Sequence, residues 1–396
     1  MKIFALTLLS AMFALGAVAV AEPGVRVTGI ARRSHGPLVA LLEIQSARPA
    51  PPLRPIVGIG QRVEGVEVIS IDAKTGKVSA KVGDQAAELS VDGGGAVEPA
   101  PVFRLKDAHS SQVLNVYQEL SDRTVITSPS LPNATITAVS KGAAEGAVAA
   151  EALARLLGEK GIVVDPRFDR FAFATEPRFV AKVEHIQAPP EAPKAGARPL
   201  APGEELFPPG LIKFSEAGTS QVLNILQDLM GRTLIFSPNL PAARVTVKSQ
   251  TAIGRAQAIW LLEAALQLDD IAISLSGDKF AFVTTTKGAS RVAKFKAPPP
   301  VKDPSDEKFP PGLIKFNEAD RSIVLDIYRE LVGQPLVRAP DLPPCKVTLK
   351  SQTPLTRDEA VWLLESVLYL GGIQCVPAGD KQVKVIRDPG ADANQY

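Results

Sequence analysis

His109 stands directly before Ser110 and Ser111, a set of residue types that suits a nucleophile with its base. At the positions matching His109 in two related stretches further along the chain stand Gly218 and Asp320, so the triplet reads as the start of a helix with Ser as cap. His35 and His185 lie far from it, and none of the three histidines has a ligand partner four residues on or a cysteine pair beside it. No metal site and no cofactor are therefore expected. Asp269 and Asp270 could act as an acid/base pair, but they close a helix pattern whose counterpart ends in Gly371 and Gly372, which suits solvated carboxylates. "GIGQRVEG" at 58–65 has the glycines of a phosphate loop with the wrong spacing and no helix pattern after it, so a β-turn is expected there. Cys345 and Cys375 are the only cysteines; they form either a disulfide or two buried thiols. Trp260 and Trp362 sit at equivalent positions beside a Leu-Leu pair, as core residues or as aromatic docking points for a partner.

Those equivalences come from a repeat. "FPPGLIKFSEA" at 207–217 returns as "FPPGLIKFNEA" at 309–319, and 26 of the 45 pairs between 207–251 and 309–353 are identical without a gap. A weaker copy lies 109 residues upstream, where "SSQVLNVYQEL" at 110–120 matches "TSQVLNILQDL" at 219–229. A catalytic motif rarely needs an exact second copy, whereas stacked or strung-out modules do. No catalytic constellation survives comparison between the copies, so the chain is expected not to be an enzyme.

Each copy carries the same element signals. "LIKF" predicts a short strand, and Val222, Ile225, Leu226 and Leu229 form the apolar stripe of an amphipathic helix. "TLIFS" and "RVTVK" predict strands about a Pro-containing turn. Thr356 and Glu359 have capping-box spacing before a second helix. Ile271, Ile273 and Leu275 then alternate, Gly277 and Asp278 turn the chain, and Phe280 and Phe282 alternate back. The expected class is α+β: three tandem βαββαββ units, at 102–175, 207–284 and 309–386, followed by a tail at 387–396. Upstream, 24–92 alternates with period two, broken by Gly and by "AKTGK", and predicts a small all-β domain.

The pattern of leading strand, "V-L-x-x-L-x-x-x-x-G" helix, "I-x-x-S-P-x-L" strand, "V-T-V" strand and "A-x-x-L-L-x-x-x-L" helix resembles the amino-terminal periplasmic domain of secretins. The signalling domain of TonB-dependent receptors is similar. More loosely, "VGIGQRVEGVEVISI" resembles the homology region of the inner-membrane clamp protein of type II secretion. The first copy departs from the others, with Glu151 and Ala152 in place of the Trp-Leu pair.

The start, "MKIFALTLLSAMFALGAVAVAEPG", reads as a secretory signal over 1–21, and no later apolar run is long enough to span a membrane. The formal net charge of +2 gives no electrostatic case for nucleic acid. Pro-rich stretches at 176–206 and 285–308 predict extended linkers, within which "FVAKV" at 179 and "RVAKF" at 291 are candidate edge strands.

Together these features, with the resemblance, imply a non-enzymatic periplasmic adaptor of a type II secretion or type IV pilus system. Its implied partner is a secretin or another assembly protein, with self-association a further possibility. The candidate docking residues are Phe207, Lys213, Trp260, Phe309, Lys315 and Trp362. The alternative is a sensing or ligand-binding module of the cell envelope.

Overall fold

The computed structural model describes residues 24–33, 36–45, 50–91, 100–140, 146–191, 205–300, 306, 309–379 and 381–390. The expected signal segment, His35 and parts of both Pro-rich stretches lie outside these residues. The chain is mixed α+β, with eight α-helices and several small sheets among the described residues. It divides into two compact units, Met1–Val116 with Thr135–Ala149 and Tyr117–Ala134 with Ala150–Tyr396.

Seven strands come first: β1 (Gly24–Arg32), β2 (Leu38–Gln45), β3 (Ile56–Gly58), β4 (Arg62–Val63), β5 (Val66–Asp72), β6 (Lys77–Val82) and β7 (Gln85–Ser90). The first sequence copy follows as β8 (Phe103–His109), α1 (Ser110–Ser121), β9 (Thr124–Thr127), β10 (Thr135–Val139), α2 (Gly146–Glu159), β11 (Val163–Phe168) and β12 (Phe171–Thr175), then α3 (Val180–Glu184).

In the first unit β4 to β7 form an antiparallel meander. Its hairpin between β4 and β5 turns at Glu64 and Gly65, both at positive φ (47° and 80°), which is where the last glycine of "GIGQRVEG" is used. The Gly58 N–H donates to Gln61 Oε1 at 2.9 Å, so that stretch is a turn, as expected. Val27, Ile30, Leu42, Val57, Val68 and Val78 pack between this meander and a second sheet ordered β10-β8-β1-β2-β3. That second sheet crosses the boundary expected between 92 and 102. β1 pairs antiparallel with β8, setting Gly29 opposite Leu105, Ile30 opposite Arg104 and Ala31 opposite Phe103.

The second unit continues with β13 (Leu206–Phe207), β14 (Lys213–Gly218), α4 (Thr219–Met230), β15 (Thr233–Phe236), β16 (Arg244–Lys248), β17 (Ile253–Gly254), α5 (Arg255–Leu268), β18 (Ile271–Ser276), β19 (Phe280–Thr285) and α6 (Ala289–Val292). The last stretch holds β20 (Lys315–Asp320), α7 (Arg321–Val332), β21 (Leu336–Arg338), β22 (Lys346–Lys350), α8 (Arg357–Leu370), β23 (Ile373–Pro377) and β24 (Val383–Arg387).

The leading strand pairs antiparallel with the fourth element in all three places, β8 with β10, β14 with β16 and β20 with β22. Each pairing is broken by a bulge. There Asp107, Glu216 and Glu318 take φ of 50°, 52° and 48°, and their N–H groups donate to Thr137, Thr246 and Thr348 Oγ1. A left-handed residue without glycine is costly, and the threonine hydroxyl satisfies the amide that the bulge removes from the ladder. The second sheets also agree in order, with β9, β15 and β21 parallel to β12, β19 and β24.

Helix faces are rotated slightly from the sequence expectation. On α4 the buried positions are Val222, Leu223, Leu226 and Gln227, while Ile225 is exposed. Helix α8 begins with the expected reciprocal cap: Glu359 N–H donates to Thr356 Oγ1 at 3.2 Å and Thr356 N–H donates to Glu359 Oε2 at 2.9 Å.

"FVAKV" is helical and "RVAKF" runs from the end of a short helix into a turn, so neither is an edge strand, and the described Pro-rich stretches are packed. Val183 and Val292 in the short helices, with Ile186 and Phe295 just beyond them, pack into the two core clusters. Their burial outweighs the prolines' preference for an extended chain.

Candidate functional site

The residues able to do chemistry are placed as structural groups. His109 precedes α1, and its Nδ1 accepts the Ser111 N–H at 3.1 Å. The cap is thus the imidazole rather than a serine. His185 ends α3. Among the described residues no three His, Cys, Asp or Glu side chains group as a metal site.

Asp269 and Asp270 end α5, and Asp270 pairs with Lys182 at 2.9 Å. Burial pushes the Asp269 carboxyl up to about 6, against the attraction of Lys182. The two acids therefore have separate surroundings.

Cys345 and Cys375 are free thiols, not a disulfide. Burial holds both above the ordinary thiol range, Cys375 at about 12 with the Glu365 charge adding to the shift. A cleft of about 380 Å³ is lined by Asp320, Arg321, Ser322, Pro344, Cys345 and Lys346. Its carboxylate is tied to Lys346 at 2.8 Å and its sulfur stays protonated at neutral pH, so the cleft offers no activated nucleophile.

The tryptophans are buried, and what they touch is the preceding copy of the same chain. Trp260 packs on Phe171 at 4.7 Å between ring centres, with Phe168 and Phe173 around it. Trp362 packs on Phe280 at 4.7 Å, with Phe282 and Phe295 around it. The indole N–H donates to Gln187 O at 2.9 Å in the first case and to Lys296 O at 3.0 Å in the second. Phe171 and Phe280 lie 109 positions apart, as do Gln187 and Lys296, so one socket is built twice.

The rest of the junction repeats as well. Thr124 Oγ1 accepts the Gln250 N–H at 2.9 Å, and Thr233 Oγ1 accepts the Gln352 N–H at 2.9 Å. Arg170 donates to Thr251 Oγ1, Gln257 Oε1 and the Ala252 carbonyl. At the same places Lys279 donates to Pro354 O at 3.0 Å and to Glu359 Oε2 at 3.1 Å.

The other expected docking residues divide. Phe207 is buried beside Ile253, its partner across β13 and β17, and Phe309 bridges to Leu355 and is half-buried. Lys213 and Lys315 are exposed at the starts of β14 and β20. Beside Lys213 lies a shallow groove of about 290 Å³, lined by Leu211, Phe214, Gln221 and Ile225 among others.

The repeat made Lys213 and Lys315 visible in the sequence. Leu211 and Leu313, exposed next to them, carried no signal beyond their place in the repeated phrase. No helix among the described residues is long and apolar enough to cross a membrane. Comparison with family models and with curated proteins finds no match.

Proposed function

We propose that this chain is a non-enzymatic adaptor or scaffold of the bacterial periplasm, in which three βαββαββ units follow an all-β segment. Through those units it binds a secretin or another subunit of a type II secretion or type IV pilus-like system. The observation that carries this reading is the doubled Trp socket. Two junctions that share an equivalent pair of Phe rings and the same indole bond join neighbouring copies within the second unit, so surfaces that recur in the second and third copies are displayed together. Fixed display of repeated weak sites raises avidity without any new contact at each site. The assignment to secretion rests on the secretin-like residue pattern of the copies.

The test is photocrosslinking in the native envelope from position 213 and, separately, from position 315. Recovery of a secretin or pilus-assembly subunit from both positions is the expected result. Crosslinks only between copies of this chain, or only to a small ligand, would replace the adaptor by a self-assembling scaffold or by a sensor.

A further inference from the structure

The leading strand of the first copy is covered along its outer edge, and its counterparts have no outer strand among the described residues. On β8 the outer neighbour is β1, with the Arg32 N–H donating to Val102 O at 2.7 Å and Ile30 opposite Arg104. Val102 is 6% exposed and Arg104 2% exposed, with Arg104 Nη2 donating to Lys74 O at 2.9 Å. At the matching positions, two residues before β14 and β20, Leu211 is 59% exposed and Leu313 60% exposed, and Lys213 and Lys315 at the strand starts are exposed too.

The backbone is set for the same pairing. Phe103 O, Ile212 O and Ile314 O each accept a bond from the inner neighbour, donated by the Ser140, Ser249 and Ser351 N–H groups. Backbone groups alternate sides along a strand, so the N–H and C=O of Lys213 and Lys315 face outward, as those of Arg104 face β1. A lysine on an edge strand can also be a guard against pairing. Here each lysine stands two residues after an exposed leucine, so the edge keeps apolar surface that a partner strand would bury.

We propose that β14 and β20 are two equivalent seats for an antiparallel edge strand supplied by a separate β-domain protein, in the register that β1 takes on β8. This deepens the adaptor reading and rests on it for the existence of a partner. The geometry of β1 describes the occupant. It needs a small residue opposite Phe214 and Phe316, because a Cβ on Gly29 would lie 2.7 Å from Leu105 Cδ2. It also needs an acidic side chain or a carbonyl for the lysine ammonium, where Lys74 O serves Arg104. A second copy of this chain fits poorly. Its β1 is already paired on both sides, and β14 pairing with β14 about Lys213 would set two lysines opposite each other.

Hydrogen exchange on the full mature chain tests this, with a synthetic peptide of the β1 sequence carrying R26E and R32E as probe. In the peptide-free chain the Arg104 amide should exchange slowly and the Lys213 and Lys315 amides fast. Peptide at about 1 mM should slow those two amides by about fivefold or more, as strand addition requires.

The effect should vanish in the L211D/L313D variant, which keeps both amides and sets a charge beside each edge. If that variant misfolds, K213E/K315E serves instead, since it also keeps both amides and repels the acidic peptide. Unchanged exchange with peptide, or Lys213 and Lys315 already as protected as Arg104, would overturn the proposal. Edges that take the peptide in a chain whose envelope crosslinks find no secretion subunit would sink the secretion reading alone. Envelope capture with indifferent edges would sink the seats alone.

Discussion

The Trp362 indole N–H donates to the Lys296 carbonyl at 3.0 Å, and those two residues belong to different copies of the repeated sequence. The bond fastens the end of one copy's trailing segment onto the second helix of the next. Trp260 and Gln187 do the same one step earlier, so the segments between copies act as clasps.

Removing the clasp should therefore cost more than an ordinary surface change. Trp362→Ala leaves an indole-sized gap among Phe280, Phe282 and Phe295 and should cost about 3–5 kcal/mol. Urea unfolding of the variant should also separate into two transitions, because the interface term that couples neighbours is lost. A loss below about 1 kcal/mol with one sharp transition would mean that the socket does not couple the copies.

How much of this was legible in the sequence follows from distance along the chain. The helices α4, α7 and α8 and the β18–β19 hairpin rest on local periodicity, caps and the Gly277 turn, and were readable. The junction was not, because it pairs Thr124 with Gln250 and Arg170 with Gln257, residues with no common local pattern. The Pro-rich stretches misled for a related reason. Their composition speaks of extension, while two apolar residues three apart, Val183 and Ile186, decide the packing once the neighbouring copy offers a surface. Pairing of β1 with β8 lay beyond the sequence too, since neither strand's alternation names its neighbour.

The third copy lacks the aromatic socket of the other two. The positions of Phe171 and Phe173, and of Phe280 and Phe282, are taken there by Gln382 and Lys384, and Pro335 replaces the accepting threonine. A terminal unit with a polar outer face keeps a stacked array from continuing. F280Q/F282K should break the second junction and cost several times what Q382F/K384F costs. The latter variant should instead self-associate as concentration rises, by sedimentation velocity, because it exposes two aromatic rings. Equal destabilisation by both pairs would refute the capping role.

The two cysteines should titrate as thiols in the native chain. Cys345 is buried and Cys375 half-buried, and both are held protonated by burial. Alkylation without reductant should label neither quickly under native conditions and both after unfolding. Mass spectrometry that finds an unreduced, unlabelled pair after unfolding would show a disulfide that the structure lacks.

Asp269 gives the fold a pH dependence of definite sign. Its carboxyl is raised from 3.8 to about 6, first by burial, and its Oδ2 has no bonding partner among the described side-chain contacts. The folded chain thus holds this proton more tightly than the unfolded chain does. The stability it contributes is complete below about pH 3.8 and is lost as pH rises through about 6. Asp269→Asn keeps the shape and removes the ionisation. Above pH 7 it should stabilise the chain by about 1 kcal/mol, a value reduced for the carboxyl's partial exposure. Below pH 4 the two proteins should unfold at nearly the same urea concentration. Asp270→Asn, made as the control, should go the other way at neutral pH, because it removes the partner of Lys182. Parallel urea curves for wild type and D269N across pH 4 to 7 would show that Asp269 ionises normally in the folded chain, and that the end of α5 is better hydrated than its burial implies.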